Sequence, residues 1–355
     1  MQQQATQYLA LDVHQATVVA SLRGEDGSVR LRATVPTEAA AVLGLVRGAG
    51  PRVHVALEEG TQAQWLHDLI QPHAEAVIVC NTRDRKETEK KSDQIDADRL
   101  SELLRLGALK SVYHDAGDTL VLKELVRSYA NLVDDATRTM YRIKSLFRSR
   151  GIRARGIKVF GRRERKQWLS RLESPGARFR AQQLWIQLDT LQQLRARAKT
   201  QMVNEARRRS GWRILRSIPF FGPIRTAYLL AIVVTPFRFR TKRQFWPYCG
   251  LAVVTRSSGE QEFTNGVLRR RRRVVATRGL NRNHNRVLKN VFKGAANAAV
   301  LKAGPLRDLY EQCIARGTRA ELAKVTVARK IAAITLRLWK KGDLWDPKKV
   351  IVQAT

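Results

Sequence analysis

The sequence predicts an α/β domain followed by a longer, mostly helical remainder, an α/β plus α architecture. Two observations support this fold class. Short segments rich in β-branched residues alternate with helical segments over the first 115 residues, and apolar residues then recur at helical spacing along two long stretches. With 355 residues and 44% hydrophobic side chains, the chain is long enough for two or three packed domains. We place their boundaries at 1–115, 116–210 and 211–355.

The first domain begins with three strands, after which helices and strands alternate. The strands lie at QYLALDVHQ, TVVASLRG and VRLRATVP, with glycines and an aspartate forming the turn between the last two. The later elements are a helix at TEAAAVLGLVRGAG, a strand at RVHVALEEG, a helix at TQAQWLHDLI, a strand at EAVIVC and a helix at SDQIDADRLSELLRLG. This is the element order of an RNase H-like sheet.

Two long helical stretches follow in 116–210. Apolar residues recur at helical spacing in both, from Leu122 to Val133 in the first and from Leu184 to Leu194 in the second. A basic segment with glycines, Arg150 to Gly176, joins them. The pattern predicts an antiparallel coiled coil, with a plain helical bundle as the alternative. Either arrangement provides a spacer or an oligomerisation arm.

The third region, from Gly211 onward, is predicted to be a mixed, mostly helical domain. Its segment ILRSIPFFGPIRTAYLLAIVV predicts two helices joined by a tight turn, which resembles a helix-hairpin-helix. Such a turn presents backbone N–H groups to a phosphate. Phe220 occupies the position of the usual first glycine, and this departure weakens the expectation of a phosphate site.

The charge distribution predicts a polyanionic partner. Lys and Arg number 66 against 31 Asp and Glu, a formal charge of +35 with a sequence pI of about 11.2. Nucleic acid is the commonest partner for such a balance. The first 115 residues carry −3 and the remainder +38. Three scattered cysteines exclude a disulfide framework and a zinc finger, and the lack of a long apolar run predicts a soluble protein without a membrane partner.

Carboxylates stand where three predicted elements meet. Asp12 ends the first strand, Glu58 and Glu59 end the fourth, and Asp93 and Asp96 begin a helix. Strands one and four are neighbours in an RNase H-like sheet, so these groups are predicted to converge at one edge. All-oxygen ligands suit Mg²⁺ or Mn²⁺, and paired ions of this kind serve phosphoryl transfer.

The sequence leaves alternatives open at several of these positions. Strand alternation directs only one of Glu58 and Glu59 toward the site, and we favour Glu58. Asp93 and Asp96 would also favour a helix N-terminus without any metal. We expect Asp98 to face solvent or Arg99, and His14 and His54 to be packing residues rather than ligands.

These segments resemble a known family. LALDVHQ, VALEEG and KSDQIDADRLSELL resemble the Asp–Glu–Asp–Asp signature of the DEDD transposases of bacterial insertion sequences, the Piv-invertase-like IS110 family. SIPFFGPIRTAYLLAIV and FRFRTKRQFWPYCGLAVVTRSSG are similar to the second block of that family, and NRVLKN is similar to its tail. Two ordered blocks spanning most of the chain make the resemblance specific.

The resemblance implies a RuvC-like catalytic domain, a coiled coil and a C-terminal transposase domain. It implies that Asp12, Glu58, Asp93 and Asp96 bind Mg²⁺, with Mn²⁺ as an alternative, and that Ser258 is the nucleophile, with Ser257 as the close alternative. The implied partners are double-stranded donor and target DNA, a noncoding bridge RNA as guide, and further copies of the chain in a dimer or tetramer. A bacterial cytoplasmic, nucleoid-associated location follows.

Two rival functions remain at this point. One is a metal-only RuvC-like Holliday-junction nuclease in which water attacks, and the other is a non-catalytic RNA-binding protein with structural acids. We expect the basic residues to contact the nucleic-acid backbone. Such contacts position the protein on the nucleic acid but do not read its sequence. These residues are Arg207 to Arg209, Arg269 to Arg273, Lys340 and Lys341.

Overall fold

A computed structural model describes residues 5–81, 93–113, 119–257, 261–264, 267–270 and 276–349. The chain divides into two compact units, residues 1–117 and 118–355. Within the described ranges, no helix is both long and apolar enough to cross a lipid bilayer.

The first unit is built on a five-stranded mixed sheet. Its elements are β1 (Gln7–Val13), β2 (Thr17–Arg23), β3 (Val29–Pro36), α1 (Ala39–Gly48), β4 (Val53–Glu58), α2 (Ala63–Ile70), β5 (Ala76–Cys80) and α3 (Asp93–Arg105). The strand order is β3-β2-β1-β4-β5. The first three strands are antiparallel, whereas β4 and β5 run parallel to β1. This topology confirms the predicted RNase H-like fold.

The two faces of this sheet are covered by different helices. Leu9, Leu11 and Leu57 pack on one face against residues of α1 and α2. On the opposite face Ala10 and Ala56 pack against α3, at Leu100 and Leu104. Successive side chains of a strand alternate between faces. The residues two positions after Ala10 and Ala56 therefore lie on the α3 face.

The second unit is mostly helical and contains two small β-ladders. Its helices are α4 (Leu120–Arg148), α5 (Arg165–Leu169), α6 (Pro175–Arg207), α7 (Trp212–Ser217), α8 (Pro223–Val233), α9 (Lys242–Tyr248), α10 (Arg286–Ala299), α11 (Pro305–Ala315) and α12 (Ala320–Lys341). Its strands are β6 (Val253–Ser257), β7 (Gln261–Thr264), β8 (Val267–Arg270) and β9 (Ala276–Leu280). Antiparallel pairs form between β6 and β9 and between β7 and β8. The sequence predicts none of these four strands.

The long helices α4 and α6 pack against each other as an antiparallel hairpin. Leu122 and Val126, near the start of α4, share a core with Met202 and Ala206, near the end of α6. The opposite ends share a second core, which contains the buried ring of Phe147. The first of these cores continues into α7 to α12, so the helical hairpin and the C-terminal region are packed together.

The turn between α7 and α8 forms without a glycine at its first position. Phe220 has φ +69, in the left-handed region that glycine normally supplies. Its carbonyl accepts a hydrogen bond from Nη1 of Arg225 at 2.6 Å, and its ring packs against the core. The backbone of the turn therefore adopts the left-handed conformation that a glycine would give it. A phenylalanine in this conformation carries a cost in free energy.

Candidate metal centre

The candidate site lies at the sheet edge where β1 and β4 end and α3 begins. The parallel register places Leu11 opposite Leu57, so Asp12 and Glu58 follow at the same level of neighbouring strands. Both share the α3 face with Ala10 and Ala56 by alternation. The first turn of α3 starts at Asp93, and α3 packs across β1 and β2. Three separate elements thus contribute acids to one edge.

Three side chains form the tightest group at this edge. Nε2 of His14 lies 3.2 Å from Oδ2 of Asp12 and 3.3 Å from Oδ2 of Asp93. One donor atom from each of the three residues lies within 4.8 Å of the other two. The Asp12 side chain is 17% exposed and that of Asp93 is 62% exposed, so the group opens to solvent on the helix side. One cation would reach all three donors.

The charges at this edge act on Asp12. Burial raises the pKa of Asp12 above its ordinary value, and the carboxylates of Glu58 and Asp93 raise it further. His14 lowers the pKa of Asp12 but does not cancel this rise. Clustered carboxylates that destabilise one another's charge are typical of a site for a cation. A divalent ion fits this donor set, because it would offset the repulsion and accept carboxylate oxygens.

The remaining predicted ligands occupy different positions at the edge. Glu58 is half-buried and close enough to influence the titration of Asp12. Glu59 is exposed, and its carboxylate accepts a hydrogen bond from Nδ2 of Asn81 at 3.0 Å. Asp96 is exposed in the same first turn of α3 as Asp93. Among the described residues, the group within 4.8 Å contains neither Glu58 nor Asp96.

Asp98 does not face Arg99 or open solvent, so that expectation was wrong. Its carboxylate accepts hydrogen bonds from Arg32, from Nε at 3.0 Å and from Nη2 at 2.8 Å, both to Oδ2. The hydroxyl of Ser21 donates to Oδ1 at 2.7 Å. Asp98 lies five residues beyond Asp93 in α3, and that interval turns its side chain toward β2 and β3. It ties the helix to the sheet.

The sequence predicts a packing role for His14, yet the structure places it between two acids. The signal was its position two residues after Asp12, which puts both side chains on the same side of an extended chain. His54, by contrast, lies at the other end of its strand, edge-on to the ring of Tyr8 with centroids 5.7 Å apart. It has a packing contact, as expected.

The serine element falls in the second unit. Ser257 is the last residue of β6, opposite Ala276 of β9. The preferred nucleophile, Ser258, lies outside the described residues, as do Arg271 to Arg273 of the basic run. In the run at the end of α6, Arg208 and Arg209 pair with Glu205.

An RNase H-like sheet with clustered acids at this edge is typical of one class of protein, the metal-dependent enzymes that act on nucleic acid. Residues 9–150 match the family model of the IS110 DEDD transposases, described as "Transposase". Residues 212–311 match the model described as "Transposase IS116/IS110/IS902 family". The chain belongs to the IS110 family of transposases. Among curated proteins, no sequence gives a significant match.

Membership of this family establishes the general activity. The chain is an enzyme that acts on DNA in transposition, and it therefore binds DNA. Its DEDD character implies dependence on a divalent metal ion.

Proposed function

We propose that the chain is a recombinase of an insertion sequence that cleaves and exchanges strands of donor and target DNA through a serine nucleophile. Asp12, Glu58, Asp93 and Asp96 would hold Mg²⁺, with Mn²⁺ as the alternative, and Ser258 would attack the scissile phosphate. The observation that carries the proposal is the grouping of Asp12, His14 and Asp93 at the end of β1.

The protein's own residues prepare this edge for a phosphodiester. β1 fixes Asp12 at the sheet edge, and His14, 3.2 Å away, orients its carboxylate. Asp93 approaches from α3, so a shift of this helix would open the group. When bound, the metal ion supplies positive charge that offsets the charge developing on the phosphate oxygens.

The serine step conserves the energy of the broken bond. The hydroxyl oxygen of Ser258 forms a bond to phosphorus, while the bond from phosphorus to one deoxyribose oxygen breaks. The proton lost by the serine ends on the departing deoxyribose oxygen, so atoms and charge balance. Because the new serine–phosphate ester preserves the energy of the phosphodiester bond that broke, strands can be rejoined without ATP. The support for Ser258 is the TRSSG sequence at the end of β6 and its resemblance to the family's second block.

The proposal extends to partners and domains. A noncoding bridge RNA would specify the DNA sequences by base pairing, and the many cations of the chain would hold the backbones. Residues 1–115 would be the metal-binding domain, 116–210 the oligomerisation helices and 211–355 the transposase domain. A dimer or tetramer would bring acids and serine of different copies together. Sequencing the RNA that co-purifies with the protein tests the guide: an RNA from the element's own ends is expected, and random cellular RNA would contradict it.

The acids are tested with a matched pair of variants. Asp12→Asn removes the charge of the central carboxylate, and Glu59→Gln removes an exposed carboxylate one residue beyond Glu58. We expect Asp12→Asn to abolish recombination, with a loss of at least about a thousandfold, and Glu59→Gln to leave it within about threefold. Full activity of Asp12→Asn in Mg²⁺ would overturn the proposal and favour a non-catalytic RNA-binding protein.

The nucleophile is tested by trapping the covalent intermediate. A DNA substrate nicked opposite the cleavage site prevents rejoining, and the protein–DNA adduct is then resolved by denaturing electrophoresis. We expect an adduct with the parent protein and with Ser257→Ala, and none with Ser258→Ala. An adduct lost only in Ser257→Ala would reassign the nucleophile. Unchanged DNA cleavage by both variants would instead support the metal-only nuclease, in which water attacks.

A further inference from the structure

The end of the α4–α6 hairpin carries an ordered structure of its own. Residues 148–180, here called the hairpin cap, comprise the end of α4, a 3₁₀ turn at Lys158–Phe160, α5 and the start of α6. Ala154, Val159 and Leu172 of the cap are buried against Phe147 and Trp185 of the two long helices. The indole N–H of Trp185 donates to the carbonyl of Val159 at 2.9 Å. The cap therefore has a packed core rather than a freely moving loop.

Polar contacts fasten the same segment to α6. Arg165 donates two hydrogen bonds to the Asp189 carboxylate, from Nη1 at 2.9 Å and from Nη2 at 2.7 Å. Arg162 adds an ion pair to the same carboxylate at 3.1 Å. The guanidinium of Arg171 lies 4.5 Å from the ring centroid of Trp168. These contacts fix the course of the backbone that carries the remaining cations.

The hairpin cap is strongly charged, and almost all of its charges are positive. It contains twelve Lys or Arg residues and two Glu, a formal charge of +10. Seven of the cations are exposed, and their side chains have no hydrogen-bond or ion-pair partner within the described part of the chain. They are Arg148, Arg153, Arg155, Lys158, Arg163, Lys166 and Arg180.

A surface of this composition points to a polyanion. An ordinary protein surface mixes both signs of charge, and fixed like charges repel one another. The packed core prevents these cations from spreading apart, as they would in a disordered basic tail. A nucleic-acid backbone supplies closely spaced phosphates and releases its condensed counterions on binding, which makes the association favourable.

We propose that the hairpin cap binds the sugar–phosphate backbone of nucleic acid, at a surface outside the catalytic machinery. This extends the proposed function by assigning a contact surface to the helical arm, and it rests on that function only for the nature of the partner. The contact is to phosphates, so it positions DNA or RNA without reading sequence.

Charge reversal at matched sites tests the proposal. The cap variant is Arg153→Glu, Arg155→Glu and Arg163→Glu. The control, Arg195→Glu, Arg197→Glu and Lys199→Glu, makes the same change of charge at exposed positions in the middle of α6. Binding to a DNA duplex and to a structured RNA is measured by fluorescence anisotropy from 50 to 200 mM salt, with EDTA present so that no cleavage occurs.

We expect the cap variant to bind at least one of the two nucleic acids about tenfold or more weakly at low salt. The slope of log K against log salt should fall by about 2 to 3 for that ligand, since each lost phosphate contact with duplex DNA removes about 0.9. The DNA and RNA titrations show which of them the cap contacts. Equal losses in the control, or an unchanged slope for both ligands, would overturn the proposal.

Further measurements test whether the cap variant is folded and in which oligomeric state. Circular dichroism and the unfolding midpoint show whether it is folded. If it is not folded, a variant with Arg→Gln changes at the same three positions is used in its place. Ile157 and Phe179 are exposed in the cap, Ile157 to 81%, and such apolar side chains could instead contact another copy of the chain. Light scattering therefore measures the oligomeric state of the cap variant. A smaller oligomer with unchanged nucleic-acid binding would make the cap a protein interface and overturn the proposal. The cleavage activity of Asp12→Asn, measured separately, tests the proposed function.

Discussion

The left-handed backbone at Phe220 predicts an unusual order of stabilities for two substitutions. At ordinary backbone angles, a protein with glycine at a given position is less stable than one with alanine by about 0.5–1 kcal/mol, because glycine loses more backbone freedom on folding. Phe220 has φ +69, where a residue with a Cβ atom is strained by about 1–2 kcal/mol and glycine is not. Glycine should therefore be the better replacement here.

The size of the effect follows from comparing the two variants with each other. Both Phe220→Gly and Phe220→Ala lose the contacts of the phenyl ring with the core, so this loss cancels. Arg225 bonds to the backbone carbonyl of residue 220 and is available in both. Relief of strain less the entropy cost leaves Phe220→Gly more stable than Phe220→Ala by about 0.5–1 kcal/mol.

Urea unfolding followed by tryptophan fluorescence measures this difference. Six of the seven tryptophans lie in residues 118–355, so the signal reports mainly the unit that contains the turn. The control is Gln193, an exposed residue inside α6, where the glycine variant should be less stable than the alanine variant by about 1 kcal/mol. A Phe220→Ala protein as stable as Phe220→Gly, with the control behaving normally, would refute the strain argument.

Two further predictions concern contacts within the second unit. Asp189→Asn should destabilise the chain by about 1–3 kcal/mol at pH 7, because Arg165 loses a charged partner. That guanidinium holds the pKa of Asp189 below its usual range, so the difference in unfolding midpoint should persist above about pH 4 and vanish as the pH falls through the lowered pKa. Gly250→Ala should lower the thermal midpoint, since φ is +65 and a Cβ atom would lie 2.5 Å from the His284 ring. An unchanged midpoint would contradict this packing.

Much of the first unit was predictable because its fold depends on local patterns. Short β-branched strands and the order of elements identified the sheet, and parallel pairing of strands one and four brought Asp12 and Glu58 to one level. Alternation along the strand directs only one of Glu58 and Glu59 toward the site, and it does not by itself choose between them. Which residues become donors is harder to predict, since His14 lies beyond the strand and its contact with Asp93 depends on how α3 approaches.

The unpredicted features depend on tertiary structure. The strands β8 and β9, VLRR and ATRGL, contain arginine and glycine rather than a clear alternation of apolar residues. They form through backbone pairing that a propensity argument does not detect. The sequence predicts that Asp98 faces solvent or Arg99, because its partner Arg32 is 66 residues away in the sequence. Phe220 shows that core packing can hold a conformation that the residue type disfavours.

Manganese binding followed by electron paramagnetic resonance is the most direct test of the proposed metal site, because bound Mn²⁺ loses the sharp signal of the free ion. In the proposed site, the acids at the ends of β1 and β4 and at the start of α3 share a divalent cation. The parent chain and Glu59→Gln should bind Mn²⁺, and Asp12→Asn should lose at least about tenfold in affinity. Equal affinity of Asp12→Asn and the parent chain for Mn²⁺ would contradict it.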